Sequence, residues 1–599
     1  MGPRLPVTVE GALYPLLQRW AQLDQAALAI GNRQGAWLSR GDLDALLVGG
    51  RGRLRQLGLQ PCDRVAMLMP QSLEGAIVAL QVASACSLAP LRPGLPPQEW
   101  SILLAHLAPA ALVIDAGSAE EVVAAARRLA IPLIDPEDLL SPKELPDART
   151  SFPVAEDLSE ASQAVVLATS GSTGRPKWVH LSQAALLRGC QAMARSLDLT
   201  PADRALLALP LHHAHGLVSG LLMPLISGGS VVVAERFDAA ELLQAIQELA
   251  ISWISLPPAM HRALLDQQRR TPLEPGHRLR FLRSGAISLP PHLIASLQAA
   301  FGVPLVEAYG MSECPHISGN PIDAPHPGSV GIPAVEHLAI LGPEGNECPI
   351  NEWGEVAVRG APLMGGYVLN GHIQPLPPVN SWFRTGDLGR LDERGYLWLK
   401  GRIKETINRG GLKVMPVVVD AALLSHPDVQ EVAAFAVPHP TLGEDIAAAV
   451  VLRAGAALDE QELRQHAFSA LAPHEVPSRI LFLEELPRGA TGKLQRIGLA
   501  ECLGDALRPA KEPAVGEMEE LVASAIADVL ELSPPSRDAN FFLLGGDSLS
   551  GTRVITRLAE QLSLDLQPTL LFTAPTVRTL AEKLDQLLDE TLAQLEAST

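Results

Sequence analysis

The sequence predicts an α/β protein with three parts: a large N-terminal unit built on parallel sheets, a small α+β unit, and an all-α helical bundle. Three observations carry this reading. The chain has 599 residues, more than one compact core organises, so two to four units are expected. Through about the first 400 residues, short aliphatic or β-branched runs alternate with amphipathic helical patterns, as parallel strands covered by helices require. After Glu517 that alternation stops, and only helical spacing remains.

The alternation starts with RVAML at 64–68, followed by the helical pattern SLEGAIVALQVASA. ALVID at 111–115 precedes AEEVVAAARRLA, and VVVA at 231–234 precedes AAELLQAIQELA. Asp238, standing between that strand and that helix, is expected to be a helix N-cap rather than a binding residue. Residues 206–234 are the most apolar stretch. His212, His213, His215, Pro224 and the SGG turn at 227–229 interrupt it, so it is expected to be buried core and not a membrane span. The hairpin-like WFRTGDLGRLDERGYLWLKGR ends the first unit at 402. A small α+β unit of domain size follows over 403–508, then a Pro- and Gly-containing tether at 509–516. Residues 517–595 are expected to form the bundle. From 517 onward fourteen Asp and Glu face five Lys and Arg, an acidic surface suited to basic partners.

Composition narrows the function classes. Hydrophobic residues make up 47% and charged residues 19%, which describes a globular chain rather than a disordered one. A net charge of −19 argues against a nucleic-acid partner, whose binding needs clustered Lys and Arg. It does not argue against a nucleotide, which a few local donors hold. The six cysteines form no CxxC pair, so neither a zinc site nor a disulfide framework is indicated. The N-terminal residues lack the pattern of an export signal or a lipid anchor, and a cytoplasmic setting without a membrane partner is expected.

Residues 169–177, TSGSTGRPK, follow the apolar run AVVLA. Glycines let backbone N–H groups approach phosphate oxygens, while hydroxyls and a lysine add donors and charge. The composition is that of a phosphate loop, although GxxxxGK[ST] is absent. Four more segments follow at consistent intervals: AYGMSE at 308–313, WFRTGD at 382–387, GRIKE at 401–405 and PRGATGK at 487–493. Together the five resemble the signatures of the adenylate-forming superfamily, which includes acyl-CoA synthetases, firefly-type luciferases and the adenylation domains of nonribosomal peptide synthetases.

That resemblance implies a fold and a set of roles. An adenylation core would span 1–402 and a mobile C-terminal subdomain 403–508. Thr169, Ser170, Gly171, Ser172, Thr173, Gly174 and Lys177 would grip the phosphates of ATP. Tyr309 would stack on adenine, with Gly310, Met311 and Ser312 beside it. Glu313 would help hold Mg²⁺, Asp387 would take the ribose hydroxyls, and Arg402 would lie against the nucleotide. Lys404 would be the hinge and Lys493 the catalytic lysine. The roles fit the chemistry: a phenol ring offers a flat apolar face to a purine, and a carboxylate accepts two hydroxyls or supplies a hard oxygen. Trp178 departs from the pattern, standing where the family normally has glycine, and is expected to alter loop mobility.

PLHHAHGL at 210–217 resembles the His-rich segment of acyl- and aryl-CoA synthetases, where amino-acid activators usually place an aspartate for the α-ammonium group. His213, His215, Ser284 and Gly285 are the expected acyl pocket, and a simple organic acid, short acyl or aromatic, is the first expectation for the substrate. The lysine at the hinge leans the same way. FFLLGGDSL at 541–549 resembles the 4′-phosphopantetheine attachment site of peptidyl carrier domains, with Ser548 as acceptor. Asp547 before it and apolar Leu549 after it suggest a serine exposed where loop becomes helix, with the chain anchored behind.

The expected activity is ATP-dependent formation of an acyl-adenylate, then transfer to the thiol on the chain's own carrier. Its partners would be a carboxylic acid, a phosphopantetheinyl transferase and a downstream condensation or tailoring enzyme. Two other readings stay open: a ligase using free CoA with the bundle as a docking module, and a catalytically silent scaffold.

Overall fold

The computed structural model describes residues 11–115, 119–141, 158–169, 177–285, 289–377, 381–488, 494, 496–507, 512–542 and 544–598. It divides into two compact units, residues 1–399 and 400–599.

The first unit is α/β, as expected. In one sheet, six neighbouring strands run parallel, in the order Leu305–Met311, Phe281–Ser284, Trp253–Leu256, Arg204–Leu207, Ser230–Val233 and Leu28–Asn32. A second sheet has a parallel run of Gln163–Thr169, Ser87–Pro90, Arg64–Leu68, Ala111–Ile114 and Leu133–Ile134. Their central strands read as continuous apolar runs because helices cover both faces. Side chains alternate between the faces. Phe281 and Trp253 enter one core with the helix Gln183–Ser196, while Leu282 and Ile254 enter another with the helix Ala239–Glu248.

Local chemistry sets the helix starts. Asp238 accepts from the backbone N–H groups of Ala240 and Glu241, both at 3.0 Å, and caps Ala239–Glu248. Residues 206–234 are almost wholly buried, and no helix among the described residues is long and apolar enough to cross a membrane. Within this stretch His215–Leu222 is a π-helix, a wide and uncommon turn that recurs at functional sites.

In the second unit the strands Val429–His439 and Gly443–Leu452 form a long antiparallel hairpin, and Arg479–Phe482 adds in parallel. Its core includes Ile407, Leu423, Ile446, Val450 and Leu463. Arg409 Nε meets Asp445 Oδ1 at 2.8 Å, a buried pair. The helices Gly516–Leu530, Ser548–Leu562 and Val577–Ser598 form the C-terminal bundle around Val522, Ile526, Phe541, Val554, Leu558, Leu580 and Leu584. The bundle packs on the hairpin domain. Asn540 Nδ2 donates to Ser478 O, His439 Nε2 donates to Phe542 O, and Thr441 Oγ1 donates to Gly545 O at 3.1 Å. The rings of Phe468 and Phe572 lie 6.1 Å apart across the same contact.

Candidate active site

Tyr309 ends the parallel run on the strand Leu305–Met311, and Asp387 lies in the strand Phe383–Leu391. They are 78 residues apart, yet the Tyr309 hydroxyl donates to Asp387 Oδ2 at 2.5 Å. The Asp387 backbone N–H donates to Thr385 Oγ1 at 3.2 Å, and Thr385 in turn donates to Val356 O, so the carboxylate sits on a braced strand. Gly310 is required by the fold, because a Cβ there would stand 2.3 Å from Pro315 O. Met311 and Ser312 continue from that strand into a half-buried turn.

Glu313 follows in the turn before Cys314–Gly319, is buried, and accepts from the Tyr367 hydroxyl at 3.0 Å. That bond, the neighbouring negative charge and above all burial push the Tyr367 phenol out of its usual range, upward. Lys177 Nζ lies 5.2 Å from the Tyr367 ring centroid. A lone buried carboxylate of this kind fits Mg²⁺, which takes one or two protein carboxylates and completes its shell with phosphate oxygens and water. Glu313 would hold the ion, with Tyr367 orienting the carboxylate.

The strands Gln163–Thr169 and Lys177–Ser182 pair antiparallel up to Thr169 and Lys177. Thr169 Oγ1 donates to Lys177 O at 3.4 Å, at the base of the segment expected to be the phosphate loop. Ser170, Gly171, Ser172, Thr173 and Gly174 lie outside the described residues, as does Lys493. Trp178 is 3% exposed and its ring packs among Leu104, Leu112, Val166 and Val368. Its bulk serves the core, a use that the sequence did not suggest.

The expected acyl pocket is brought together in part. His215 Nε2 lies 2.6 Å from Ser255 Oγ and 3.3 Å from Arg283 Nη1, and Arg283 Nη1 lies 2.9 Å from Ser255 Oγ. Gly285 adjoins them, since a Cβ there would lie 3.2 Å from His215 Cε1 and 3.6 Å from Arg283 Nη1. Ser284 is the strand neighbour of Arg283, so its buried hydroxyl faces the other side of the sheet. His213 is half-buried, and its ring lies 4.3 Å from that of His212. Burial, with a smaller contribution from Arg92, brings His212 down to about 4.

In the second unit, Arg402 and Lys404 are exposed, and Lys404 lies in the short helix Ile403–Glu405. Gly401 adopts φ +128°, and a Cβ there would meet Met415 Cε at 2.7 Å. The bundle presents Ser548 as the exposed first residue of its second helix. Asp547 caps this helix, accepting from Ser550 N–H at 2.8 Å, and these bonds hold its carboxyl below the usual range. A phosphodiester on Ser548 would stand at the positive end of a 15-residue helix, which favours an anion. Leu549 is 75% exposed, against the expectation that it anchors the chain. Val554, Ile555 and Leu558 do so instead.

Sequence reasoning missed Tyr367, Ser255 and Arg283. Tyr367 stands 54 residues from Glu313, and the other two are single polar residues inside apolar strands.

Comparison with known proteins gives three consecutive matches. Residues 17–368 match the AMP-binding enzyme family, 418–493 the AMP-binding enzyme C-terminal domain, and 520–584 the phosphopantetheine attachment site. An oxalate–CoA ligase of Arabidopsis thaliana is 35% identical over 82% of this chain and 97% of its own length. A sulfoacetate–CoA ligase of Cupriavidus necator is 39% identical over 56% of this chain and 66% of its own. The solved O-succinylbenzoate coenzyme A synthetase of Bacillus subtilis, in complex with ATP and magnesium ion, is 26% identical. It superposes with a TM-score of 0.70 over 82% of this chain and 100% of that one.

Proposed function

Because the chain belongs to the AMP-binding enzyme family and carries a phosphopantetheine attachment domain, we propose that it is a self-loading didomain. It activates a carboxylic acid as an acyl-adenylate, releases pyrophosphate, and passes the acyl group to its own carrier at Ser548 for nonribosomal peptide or related natural-product assembly. It is an adenylate-forming ligase that uses ATP and Mg²⁺ and bears 4′-phosphopantetheine.

A carboxylate is a poor acyl donor, and attack of its oxygen on the α-phosphate of ATP turns that oxygen into a leaving group. In this reading Tyr309 offers its ring face to adenine, and Asp387 accepts the ribose hydroxyls that replace or share its bond with the Tyr309 phenol. Glu313 supplies one hard oxygen, oriented by Tyr367. Mg²⁺ would neutralise charge on the phosphate oxygens. The phosphate loop with Thr173 holds the leaving pyrophosphate, and Lys493 stabilises the negative charge that develops, roles carried here by the family resemblance. Rotation about Lys404 then removes Lys493 and opens the way to a thiol. A phosphopantetheinyl transferase and a downstream condensation or tailoring enzyme are the partners this reading requires.

The observation that carries self-loading is Ser548, exposed at the capped start of a helix, in the same chain as the adenylating residues. The test is acid-dependent exchange of pyrophosphate into ATP, followed by mass measurement of the loaded chain. Loading lost in Ser548→Ala with exchange retained supports the reading. Release of acyl-CoA by Ser548→Ala supports the second reading, a free-CoA ligase, which the names of the relatives favour.

A further inference from the structure

The parallel strands whose C-terminal ends carry Tyr309, Gly285 and His215 have a second end, away from those residues. There Arg204, Ser252 and Arg280 stand side by side where three neighbouring strands begin. Ser252 N–H donates to Arg204 O at 2.9 Å, and Arg280 N–H donates to Ser252 O at 2.6 Å. With Thr200, Asp203 and Arg278 they line a pocket of about 440 Å³, a size that suits a small molecule.

The pocket is cationic in a chain that is acidic as a whole. Three guanidinium groups line it against one carboxylate, Asp203. That carboxylate is 4% exposed and fully engaged, accepting from Thr200 N–H at 2.8 Å, the Ser252 hydroxyl at 2.8 Å and Arg280 Nη1 at 2.5 Å. Arg204 has neutral acceptors instead: its Nε donates to Ser230 Oγ at 3.1 Å and its Nη1 to Leu249 O at 2.6 Å. Its Cζ lies 4.6 Å from the Trp37 ring centroid, so the plane of the guanidinium is fixed. Arg278 is exposed, and among the described residues no hydrogen bond or ion pair engages it. Burial, and after it the charge of Arg278, bring Arg204 below its ordinary value, so the two cations act on each other across the pocket. A structural role accounts for Arg280, which pairs with Asp203, and for Arg204, which ties two strands to a helix end. It does not account for Arg278.

We propose that this pocket is a binding site for a phosphate group on a small molecule, at the opposite end of the sheet from Tyr309. A phosphate monoester carries about −1.5 to −2 charges at neutral pH, which matches the excess of guanidinium over carboxylate. Its oxygens also meet planar guanidinium forks in pairs, as a point charge does not. The concave shape favours a small ligand over an acidic protein surface. Two sources share this chemistry: a phosphomonoester, and the pyrophosphate released in the adenylating reading above.

The test is calorimetric titration of the whole chain with glycerol 3-phosphate and with pyrophosphate, in the wild type, Arg278→Gln and Arg278→Glu. Sodium chloride at equal ionic strength is the control. Arg278 is exposed and makes no bond among the described residues, so both variants are expected to fold, which thermal melts check. At least one of the two anions is expected to bind the wild type saturably at millimolar concentration or below. Arg278→Gln should weaken that binding by about 10-fold and Arg278→Glu by about 100-fold, the scale of hydrogen bonds between charged groups. The KM for ATP should stay at its wild-type value. The active site also meets pyrophosphate, so the binding that counts is the part lost in the Arg278 variants. Loss confined to glycerol 3-phosphate assigns a phosphomonoester, and loss confined to pyrophosphate assigns the reaction's own product. No saturable binding in the wild type, binding unchanged in both variants, or an equal response to chloride overturns the inference and leaves the adenylating reading intact.

Discussion

Replacing Asp387 with asparagine tests the nucleotide site most directly. Hydrogen bonds to a charged acceptor contribute a net ~1.5–3 kcal/mol each, and the proposed role gives Asp387 two of them from ribose. The amide keeps one acceptor oxygen without the charge, so roughly one such bond is lost and the other weakened, about 2–4 kcal/mol. The unliganded wild type spends part of this beforehand, because the Tyr309 hydroxyl already donates to the same carboxylate at 2.5 Å. Deducting about 1 kcal/mol for that neutral donor leaves about 1–3 kcal/mol, or ~5–150-fold in the KM for ATP.

Tyr309→Phe is the matched control, since it deletes the competing donor and keeps the ring face. Its KM for ATP should stay within about threefold of wild type or fall below it, because the proposed adenine contact is the apolar face. Both constants come from exchange assays titrated with ATP, with thermal melts to confirm folding. If Tyr309→Phe raises the KM as much as Asp387→Asn, the hydroxyl and not the ring binds the nucleotide. An unchanged KM in Asp387→Asn removes the carboxylate from the ribose.

Other expectations are structural. Gly401→Ala should destabilise the second unit by about 1–3 kcal/mol, because the residue holds φ +128° and its Cβ would collide with Met415, and a melt of the chain reads this. Asp547→Ala should lower bundle stability by ~1 kcal/mol near neutral pH through loss of the cap, measured by denaturant titration. The Asp547 carboxyl is lowered on folding, so its contribution is present above the ordinary carboxylate range and disappears as pH falls through the lowered value. Variant and wild type should therefore converge in acid. His261 and His316 are buried and lowered to about 4 and about 3, chiefly by burial, so the unfolded chain takes up their protons first as pH drops below ~6.5. Between about pH 6 and 4 each should cost ~1.4 kcal/mol per pH unit, and His261→Gln should flatten that slope in pH-dependent melts.

What was legible in the sequence was local. Asp238 declared itself a cap by standing between a strand and an amphipathic helix, and its two backbone bonds are present. Histidines, a proline and an SGG turn identified 206–234 as core, and it is buried. Long-range pairings left no such trace. Nothing near Glu313 announces Tyr367, and nothing near Asn540 announces Ser478, 62 residues away. Leu549 misled because apolar character suggests burial, whereas helix phase turns it outward and leaves Val554 and Ile555 to pack. Arg283 was invisible for a related reason, since a charge inside FLRS becomes significant only when its paired residues on the two neighbouring strands prove to be Ser255 and Val306, neither of them a carboxylate.

That last residue bears on two cues that conflict in the sequence, the carrier pointing to peptide assembly and the His-rich segment to organic acids. An α-amino acid brings an ammonium group, and the resemblance places an aspartate in amino-acid activators to receive it. Here the corresponding region offers His215, Ser255 and the cation Arg283. Like charges in a buried site repel strongly because little solvent screens them, so an ammonium group beside Arg283 is disfavoured. A carboxylate in the same place is attracted by the same field. In the proposed reading the carrier and the pocket then cease to conflict, because Ser548 concerns how the acyl group travels and Arg283 concerns which charge its pocket favours.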